Sequence, residues 1–244
     1  SYTGTFDGGG HTITGLTVTT NDKYAGLFGY LGNFGKYGTV KNVVMDGIQI
    51  TCNHRSGYAG GVAGYSRGTI ENCSVSGSVS GTVSGSITGC SSSATVKGTL
   101  NVGGVAGQTI FGATLTACYA TGNVIIEIDR TQNISGGGLV GFNDGISLLA
   151  CYATGNVTST GSSTGYVHIG GFLGDNYITV TACYWKNNHE QGIGYNREST
   201  KVTKVDGTSV TWQNAVDAMN TALQNAGSEW RYELNGALPT LRKQ

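Results

Sequence analysis

The sequence predicts an all-β protein whose short strands stack as a right-handed parallel β-helix, or a closely related β-solenoid, with a short α-containing C-terminal cap. Glycine accounts for 42 of the 244 residues and proline for one, which favours many tight corners between strands that keep their N–H donors. A glycine-rich apolar strand recurs along most of the chain, and a second apolar element follows each copy. Glycine with a regular period indicates repeated structure, whereas glycine without one would indicate disorder.

The first repeated element is a small residue and a glycine, followed by two apolar residues and another glycine. Its five copies occupy residues 25–30, 60–65, 103–108, 137–142 and 170–175. Successive copies are 33 to 35 residues apart, except for one interval of 43. A near-constant period of this length indicates a solenoid, in which each coil buries its apolar face only by stacking on its neighbours.

The second element places an apolar residue three positions before a cysteine or valine. Its copies occupy residues 40–43, 70–73, 115–118, 148–151 and 180–183, and an extra copy at 87–90 explains the long interval. An offset of three breaks the two-residue period of a strand. We therefore predict a corner within each copy, with both side chains pointing inward, and an irregular coil around the extra copy.

The two ends of the chain differ from the repeats. Residues 4–18 alternate threonine with apolar residues around glycines, as strands do. Residues 212–226 have apolar side chains at helical spacing. We predict a solenoid over residues 1–205 and a cap over residues 206–244, which covers the open end of the solenoid and packs through Trp212, Trp230 and Leu241.

Two stretches of the repeat resemble a known motif. Gly-Gly-Leu-Val-Gly-Phe at residues 137–142, followed by Cys-Tyr-Ala-Thr-Gly-Asn-Val at residues 151–157, resembles the GLUG motif. Residues 5–13 resemble the segment that often precedes such repeats, and residues 238–241 resemble the end of many such chains. The resemblance implies a scaffold of secreted or surface proteins of bacteria, many from gut Bacteroidetes and often described as adhesin-like. The same repeat occurs in some large bacterial immunoglobulin A peptidases, outside their zinc-dependent catalytic part.

Composition and charge narrow the possible functions. The chain has 14 basic and 14 acidic residues, which gives no basic surface of the kind that nucleic-acid binding requires. The longest apolar runs are too short to span a membrane. Because the chain starts at Ser1 within a pattern, we interpret it as a segment of a longer protein or a mature form. We expect an extracellular location or the bacterial outer-membrane surface, without cofactors.

The cysteines and histidines indicate structure more than chemistry. Five cysteines occupy the same repeat position, where Val43 stands in the first copy, so we predict a column of free, buried thiols rather than disulfides. Cys52 stands apart from the column. The four histidines lie in different parts of the repeat, without the spacing of a zinc protease, and we predict no metal site.

Two aspartates are the first candidates for chemistry. Asp144 and Asp175 follow glycine strands at nearly equivalent places in adjacent coils, next to Asn143 and Asn176. Carboxylates brought together there would form an acid/base pair or bind calcium. Polar residues after a strand are also the normal content of a turn, and that alternative stays open.

Three tyrosines are the first candidates for ligand binding. Tyr119, Tyr152 and Tyr184 alternate with the inward cysteines and therefore point outward. An exposed aromatic ladder would stack on sugar rings, and the alternative is that the rings pack under a loop or at a corner. Tyr24, Tyr30, Tyr58 and Tyr65 flank glycine strands and would add to an aromatic side.

The function predicted from the sequence is a non-enzymatic, adhesin-like domain that binds an extracellular glycan or a host protein, or that spaces other domains. The alternative is a carbohydrate-active β-helix enzyme, a polysaccharide lyase or glycoside hydrolase. An enzyme would require carboxylates or basic groups that converge in one groove, whereas an adhesin would tolerate scattered ones.

Overall fold

The computed structural model is a stack of parallel β-coils with one helix. It describes residues 1–54, 58–80, 86–88, 90–98, 100–109, 114–128, 133–144 and 147–244. We number the coils 1 to 7 by their strand in a seven-stranded parallel sheet, sheet 1. A twelve-stranded sheet, sheet 2, forms the second side. The predicted all-β solenoid is therefore confirmed.

The first three coils contain eleven strands. Coil 1 comprises β1 (Thr5–Asp7), β2 (Thr12–Thr14), β3 (Thr17–Thr20), β4 (Tyr24–Ala25) and β5 (Phe28–Leu31). Coil 2 comprises β6 (Thr39–Lys41), β7 (Val44–Cys52), β8 (Tyr58–Ala59) and β9 (Ala63–Ser66). Coil 3 comprises β10 (Thr69–Glu71) and β11 (Ser74–Ser80).

The next four coils follow the same order. Coil 4 comprises β12 (Ser86–Thr88), β13 (Ser91–Ser92), β14 (Thr95–Gly98), β15 (Asn101–Gly103) and β16 (Ala106–Thr109). Coil 5 comprises β17 (Leu115–Thr116), β18 (Tyr119–Ala120), β19 (Val124–Ile128), β20 (Ile134–Gly137) and β21 (Val140–Asn143). Coil 6 comprises β22 (Leu148–Leu149), β23 (Tyr152–Ala153), β24 (Val157–Gly161), β25 (Val167–Gly170) and β26 (Leu173–Asn176). Coil 7 comprises β27 (Val180–Thr181), β28 (Tyr184–Trp185) and β29 (Ile193–Asn196).

The C-terminal part contains the helix and a hairpin. β30 (Thr203–Lys204) pairs with β28 and is the last strand of sheet 2. Helix α1 (Trp212–Asn225) begins after the N-cap Thr211, whose side chain accepts from the N–H of Asn214 in a capping box. β31 (Trp230–Glu233) and β32 (Thr240–Lys243) pair antiparallel.

The corner between sheets 1 and 2 has a left-handed backbone, which accounts for the three-residue offset in the sequence. In the five main copies, the residue before the cysteine or valine has a φ of 49° to 56°; these residues are Asn42, Asn72, Ala117, Ala150 and Ala182. One left-handed residue turns the chain so that side chains on both sides of it point inward. The predicted corner is confirmed.

The third side of a coil is formed by the two strands that flank its glycine pair, such as β20 and β21 in coil 5. This side bends inward at the glycines. A Cβ atom on Gly138 would lie 3.0 Å from the Cβ of Ala153 and 2.3 Å from the oxygen of Gly171, and one on Gly104 would lie 2.7 Å from the Cβ of Ala120. The two walls therefore touch across a thin core, and a side chain at the bend would push them apart.

Coil 3 interrupts this third side. In sheet 1, β10, β12 and β17 pair in register, Ile70 with Ile87 and Ile87 with Leu115. Sheets 1 and 2 are thus continuous through the extra copy of the second element. Among the described residues, the third-side strands form separate groups: β4 with β8 and β5 with β9 at one end, and β15-β20-β25 and β16-β21-β26-β29 at the other.

The C-terminal segment was predicted to cover the open end of the solenoid. In the structure it lies along the side of the solenoid instead. Trp212 and Trp230 are buried against outward residues of coils 5 to 7, such as Ala150, and Leu241 packs on the same cluster. The Nζ of Lys243 reaches the Oε1 of Glu71 in coil 3, 3.2 Å away. We call residues 206–244 the strap. It takes this place because the corner alanines and the tyrosines of sheet 2 present an apolar strip there.

Candidate functional site

The predicted tyrosine ladder exists but is covered by the strap. Tyr119, Tyr152 and Tyr184 pair in register in sheet 2, and the rings of Tyr119 and Tyr152 stack with centroids 4.8 Å apart. Tyr152 is fully buried and Tyr184 is 9% exposed. The prediction of an exposed ladder is therefore wrong, because an amphipathic helix and hairpin occupy the outward face on which these rings lie.

Hydrogen bonds hold the strap on this ladder. The Tyr152 hydroxyl donates to the carbonyl oxygen of Pro239 in the strap. In return, the Tyr232 hydroxyl of the strap donates to the carbonyl oxygen of Ala150, 2.9 Å away. Burial raises the pKa of both phenols well above its usual value. These tyrosines hold the strap in place and are not a ligand platform.

The two predicted aspartates are not equivalent in the coils. Asp175 pairs with Phe142, and Asn176 pairs with Asn143, so Asp144 lies two positions further along its coil. Asp144 is half-buried, and its backbone N–H donates to the carbonyl oxygen of Thr109. The prediction that the two aspartates occupy nearly equivalent positions is wrong, because Asp175 directly follows Gly174 whereas Asp144 stands three residues after Gly141.

The neighbouring asparagines lie inside the solenoid rather than along an edge. Asn143 and Asn176 are fully buried. The Nδ2 of Asn143 donates to the Oδ1 of Asn176 at 2.8 Å, and Asn143 accepts from the hydroxyl of Thr109 at the same distance. The ladder continues from Asn176 to Asn196. These amides hold successive coils together. Of the two consecutive residues Asp175 and Asn176, Asp175 is therefore the one on the outward side.

Asp175 forms a built polar site with His168 and Ser135. The Nδ1 of His168 lies 2.6 Å from the Oδ1 of Asp175, and the hydroxyl of Ser135 in the next coil donates to Oδ2. Asp175 is 5% exposed. In the tautomer that donates from Nδ1 to the carboxylate, the Nε2 edge of the ring is the part available to a ligand.

This site lies in a groove that follows the glycine bend. The outward side chains of β25 and β26 touch each other across the bend, so the outer surface is concave there. In register, one wall carries Asn101, Ser135 and His168. The opposite wall carries Gln108, Phe142, Asp175 and Tyr195. We call this concave strip the groove.

Aromatic rings surround the polar site. The His168 ring stacks between Tyr166 and Tyr195, with centroid distances of 5.8 Å and 5.0 Å. Tyr177 contacts the rings of Phe142 and Tyr195. The pocket that His168, Asp175 and Tyr177 line with Phe142 has a volume of about 260 Å³. We call it the histidine pocket.

The exposure of these rings differs, and charges adjoin them. Tyr166 is 70% exposed and Tyr195 43%, so ring surface is open to a ligand. The guanidinium of Arg197 lies 5.7 Å from the centroid of the Tyr177 ring. Partial burial, with the Asp175 carboxylate nearby, raises the pKa of the Tyr177 phenol, so this hydroxyl stays neutral at physiological pH and serves as a donor.

A second aromatic group lies on the same side of the solenoid in coils 1 and 2, whose third-side strands form a separate group. The rings of Tyr30 and Tyr65 are stacked with centroids 4.8 Å apart, and Tyr24 meets both edge-on. Arg67 interacts with Tyr65, which raises the pKa of its guanidinium, and it lies 4.1 Å from the centroid of Phe34. We call Tyr24, Tyr30 and Tyr65 the tyrosine cluster.

A pocket borders the tyrosine cluster. It has a volume of about 500 Å³ and is lined by Tyr24 and Tyr30 together with Tyr2 and Asp22. Between this cluster and the histidine pocket, coil 4 contributes a polar pair, in which the Nδ2 of Asn101 donates to the Oε1 of Gln108 at 3.3 Å. This side of the solenoid thus presents an aromatic, a polar and a second aromatic section along its axis.

Sequence reasoning found part of this groove. It singled out Asp175, Tyr24, Tyr30 and Tyr65, but missed His168, whose position in the repeat signals its place. His168 and Ser135 both stand six residues before the third glycine of their strands, Gly174 and Gly141. Aligned copies of the repeat therefore reveal the wall that faces Asp175.

Comparisons with known proteins agree with this repeat. The GLUG motif matches residues 56–80. The chain carries a GLUG motif. This match confirms the resemblance at the point where the glycine strand of coil 2 leads into coil 3.

The chain is also similar in sequence to one known protein and in fold to one solved structure. The chain is 33% identical over 108 residues, 44% of its length, to halomucin of Haloquadratum walsbyi, and it covers only 1% of that protein. A Bacteroides ovatus structure titled "putative immunoglobulin A1 protease" superposes with a TM-score of 0.70, at 19% identity, over 97% of this chain and 76% of that chain. At this identity the second likeness shows the fold alone. Among the residues that the structure describes, no helix has the length and hydrophobicity needed to cross a bilayer.

Proposed function

We propose that this GLUG-repeat chain is an extracellular or cell-surface domain that binds a glycan in the groove. The observation that carries the proposal is the histidine pocket, where the His168–Asp175 pair lies among partly exposed tyrosine rings. A sugar ring has an apolar face and an edge of hydroxyl groups. Aromatic rings match the face, and the Nε2 of His168 and the Tyr177 hydroxyl match the edge.

Other features support an extracellular role. The GLUG motif and the similarity to halomucin both favour a repeat domain of a larger surface protein. Charged residues make up 11% of the chain, and the formal net charge is zero, so recognition rests on stacking and hydrogen bonds rather than on long-range charge. We propose the bacterial outer-membrane surface as the location and a glycan, rather than a host protein, as the ligand.

The test is a broad array of host and dietary glycans probed with the purified chain. We expect a specific, saturable signal that His168→Ala reduces at least tenfold, because this change removes both the ring and its Nε2. Lys97→Ala is the matched control, since Lys97 is exposed on sheet 2 and pairs with Glu127 at 2.7 Å. Equal losses in both variants, or no signal for the unaltered chain, would contradict the proposal.

A second candidate function is carbohydrate-active catalysis at the same pair. The convergence of Asp175, His168 and Ser135 in one pocket is the feature that an enzyme requires. Asp175 would orient the imidazole and stabilise its charged form while Nε2 accepts a proton. Product release from the glycans that bind, abolished in His168→Ala and unchanged in Lys97→Ala, would favour this candidate. Binding without turnover would favour a non-enzymatic domain.

A further inference from the structure

Two aromatic sections lie on the same side of the solenoid, and this arrangement contains information about the shape of the ligand. The tyrosine cluster belongs to coils 1 and 2, whereas the histidine pocket belongs to coils 5 to 7. Both use the same repeat position, because Tyr30, Tyr65 and Phe142 each directly follow the third glycine position of their strands. Their rings therefore face the same side of the solenoid.

The separation of the two sections follows from the stacking of the coils. Tyr65 lies in coil 2 and Phe142 in coil 5, three strand spacings apart in sheet 1, which is about 14 Å at ~4.8 Å per spacing. Coil 4 places the Asn101–Gln108 pair between them. A single sugar ring reaches one section and leaves the other empty, whereas a chain of several rings reaches both.

The chemistry of the two sections is similar. Each combines an aromatic group with an arginine, Arg67 beside Tyr65 and Arg197 over Tyr177. Each also has hydrogen-bonding groups at the edge of the rings. Two similar sections joined by a polar stretch fit a polymer with repeated units better than they fit a compact ligand or a branched end group.

We propose that this side of the solenoid binds one linear polysaccharide, laid along the solenoid axis, through two subsites at the tyrosine cluster and the histidine pocket. This inference rests on the proposed glycan-binding function and adds the class of glycan and its direction. Each subsite alone binds weakly. Once a chain occupies one subsite, its next units reach the other at high effective concentration, and the affinity rises without any new contact.

The experiment is a length series measured by calorimetry. The probes are dimers to octamers of linear gluco-, xylo-, manno- and uronic acid oligosaccharides, with branched glycans of equal size for comparison. We expect the Kd to fall at least ~100-fold between the shortest and longest members of the preferred series. Tyr65→Ala and His168→Ala should each return the octamer to the affinity of a short oligomer, and Lys97→Ala should change nothing.

The outcomes separate this inference from the proposed function. Binding that does not depend on length, or that His168→Ala abolishes while Tyr65→Ala leaves it intact, would overturn the two-subsite arrangement and leave glycan binding standing. If no oligosaccharide binds and a host protein does, both fail. A melting temperature within the control range for each variant shows that lost affinity reflects the groove and not unfolding. Tyr30→Ala, in the same cluster, replaces Tyr65→Ala if the latter does not fold.

Discussion

At the scale of single residues, the cysteines of the column supply hydrogen-bond donors at the corners between sheets 1 and 2. The left-handed residue before each cysteine takes the chain out of sheet 1. The thiols of Cys118, Cys151 and Cys183 each donate to the carbonyl oxygen two residues earlier, at 3.3 to 3.4 Å. A thiol is small enough for the core and still a weak donor, which is a physical reason for cysteine at this position.

Replacing a thiol of this column with a charge should be severe. Cys151 is fully buried, and burial holds the pKa of its thiol well above the usual value. Cys151→Asp should lower the free energy of unfolding by about 3 kcal/mol or more, because a carboxylate there loses its hydration without a partner. Urea unfolding measures the change. Ser159→Asp, on the exposed face of the same coil, should alter stability by less than ~0.5 kcal/mol. An unchanged melting temperature for Cys151→Asp would refute the inward column.

The corner alanines carry backbone strain that a glycine would remove. Ala182 has a φ of 49° and is half-buried, and the left-handed region costs an L-residue about 1 kcal/mol. Ala182→Gly should therefore stabilise the protein by up to about 1 kcal/mol in urea unfolding. Ala153→Gly, in an extended strand, should do the opposite. A loss of stability in Ala182→Gly comparable to that in Ala153→Gly would show that the methyl group matters more than the strain.

The residue pattern predicted these corners but not all their consequences. The offset of three between Leu148 and Cys151 permits only a local break in strand geometry, so the corner followed from the sequence. The corner residue is alanine at positions 117, 150 and 182, which lie under the strap, and asparagine at positions 42 and 72. This difference could not be interpreted from the sequence, since alanine is equally common in cores.

At the scale of elements, the glycine bend shapes both the core and the groove. The inward bend brings the third side against sheet 2 and makes its outer surface concave. The two sections of the groove therefore depend on residues that carry no functional group. Sequence periodicity predicted the strands but not this curvature. A glycine pair allows an inward bend only where it faces another wall closely, and the sequence does not show which wall it faces.

A methyl group at the bend should disrupt the coil. Gly138→Ala would place a Cβ atom 2.3 Å from the backbone oxygen of Gly171, which cannot move without opening coil 6. We expect a loss of about 3 kcal/mol in the free energy of unfolding, in the upper range for overpacking. Gly236→Ala is the matched control, since nothing lies within 4 Å of its added Cβ atom. Equal stability of the two variants would contradict the close contact of the walls.

At the scale of the whole molecule, the strap ties coils that are distant along the axis. It contacts coils 5 to 7 through its helix and reaches coil 3 through Lys243, which also pairs with Glu229 at 3.1 Å. A helix was predicted at residues 212–226 and is present. Its docking surface was not predictable, because an amphipathic pattern specifies that one face is buried but not against what.

The buried phenols under the strap should make the protein sensitive to alkali. The folded-state pKa of Tyr152 and of Tyr232 is raised above the unfolded value of about 10. Their contribution to stability is therefore complete below about pH 10 and is lost as pH rises above it, because only the unfolded chain ionises there. The urea midpoint should therefore fall as the pH rises above about 10.

Substitution separates this effect from general alkaline unfolding. Tyr152→Phe removes the hydrogen bond to Pro239 and should lower the free energy of unfolding at neutral pH by about 1 kcal/mol. Between neutral and alkaline pH, the free energy of unfolding of this variant should fall less than that of the unaltered chain. Tyr37→Phe, at a residue that is 73% exposed, should leave both values unchanged. A pH dependence identical in all three proteins would exclude the buried phenols as its cause.

The position of the strap also fixes an order of events during biosynthesis. Coils 5 to 7 are synthesised before residues 206–244, so their tyrosines and corner alanines are exposed to water, or to other chains, until the strap follows. A chain interrupted before Trp212 leaves this apolar strip uncovered. Docking of the strap, rather than formation of the coils beneath it, is thus the step that protects the strip from aggregation and from proteases that degrade incomplete chains.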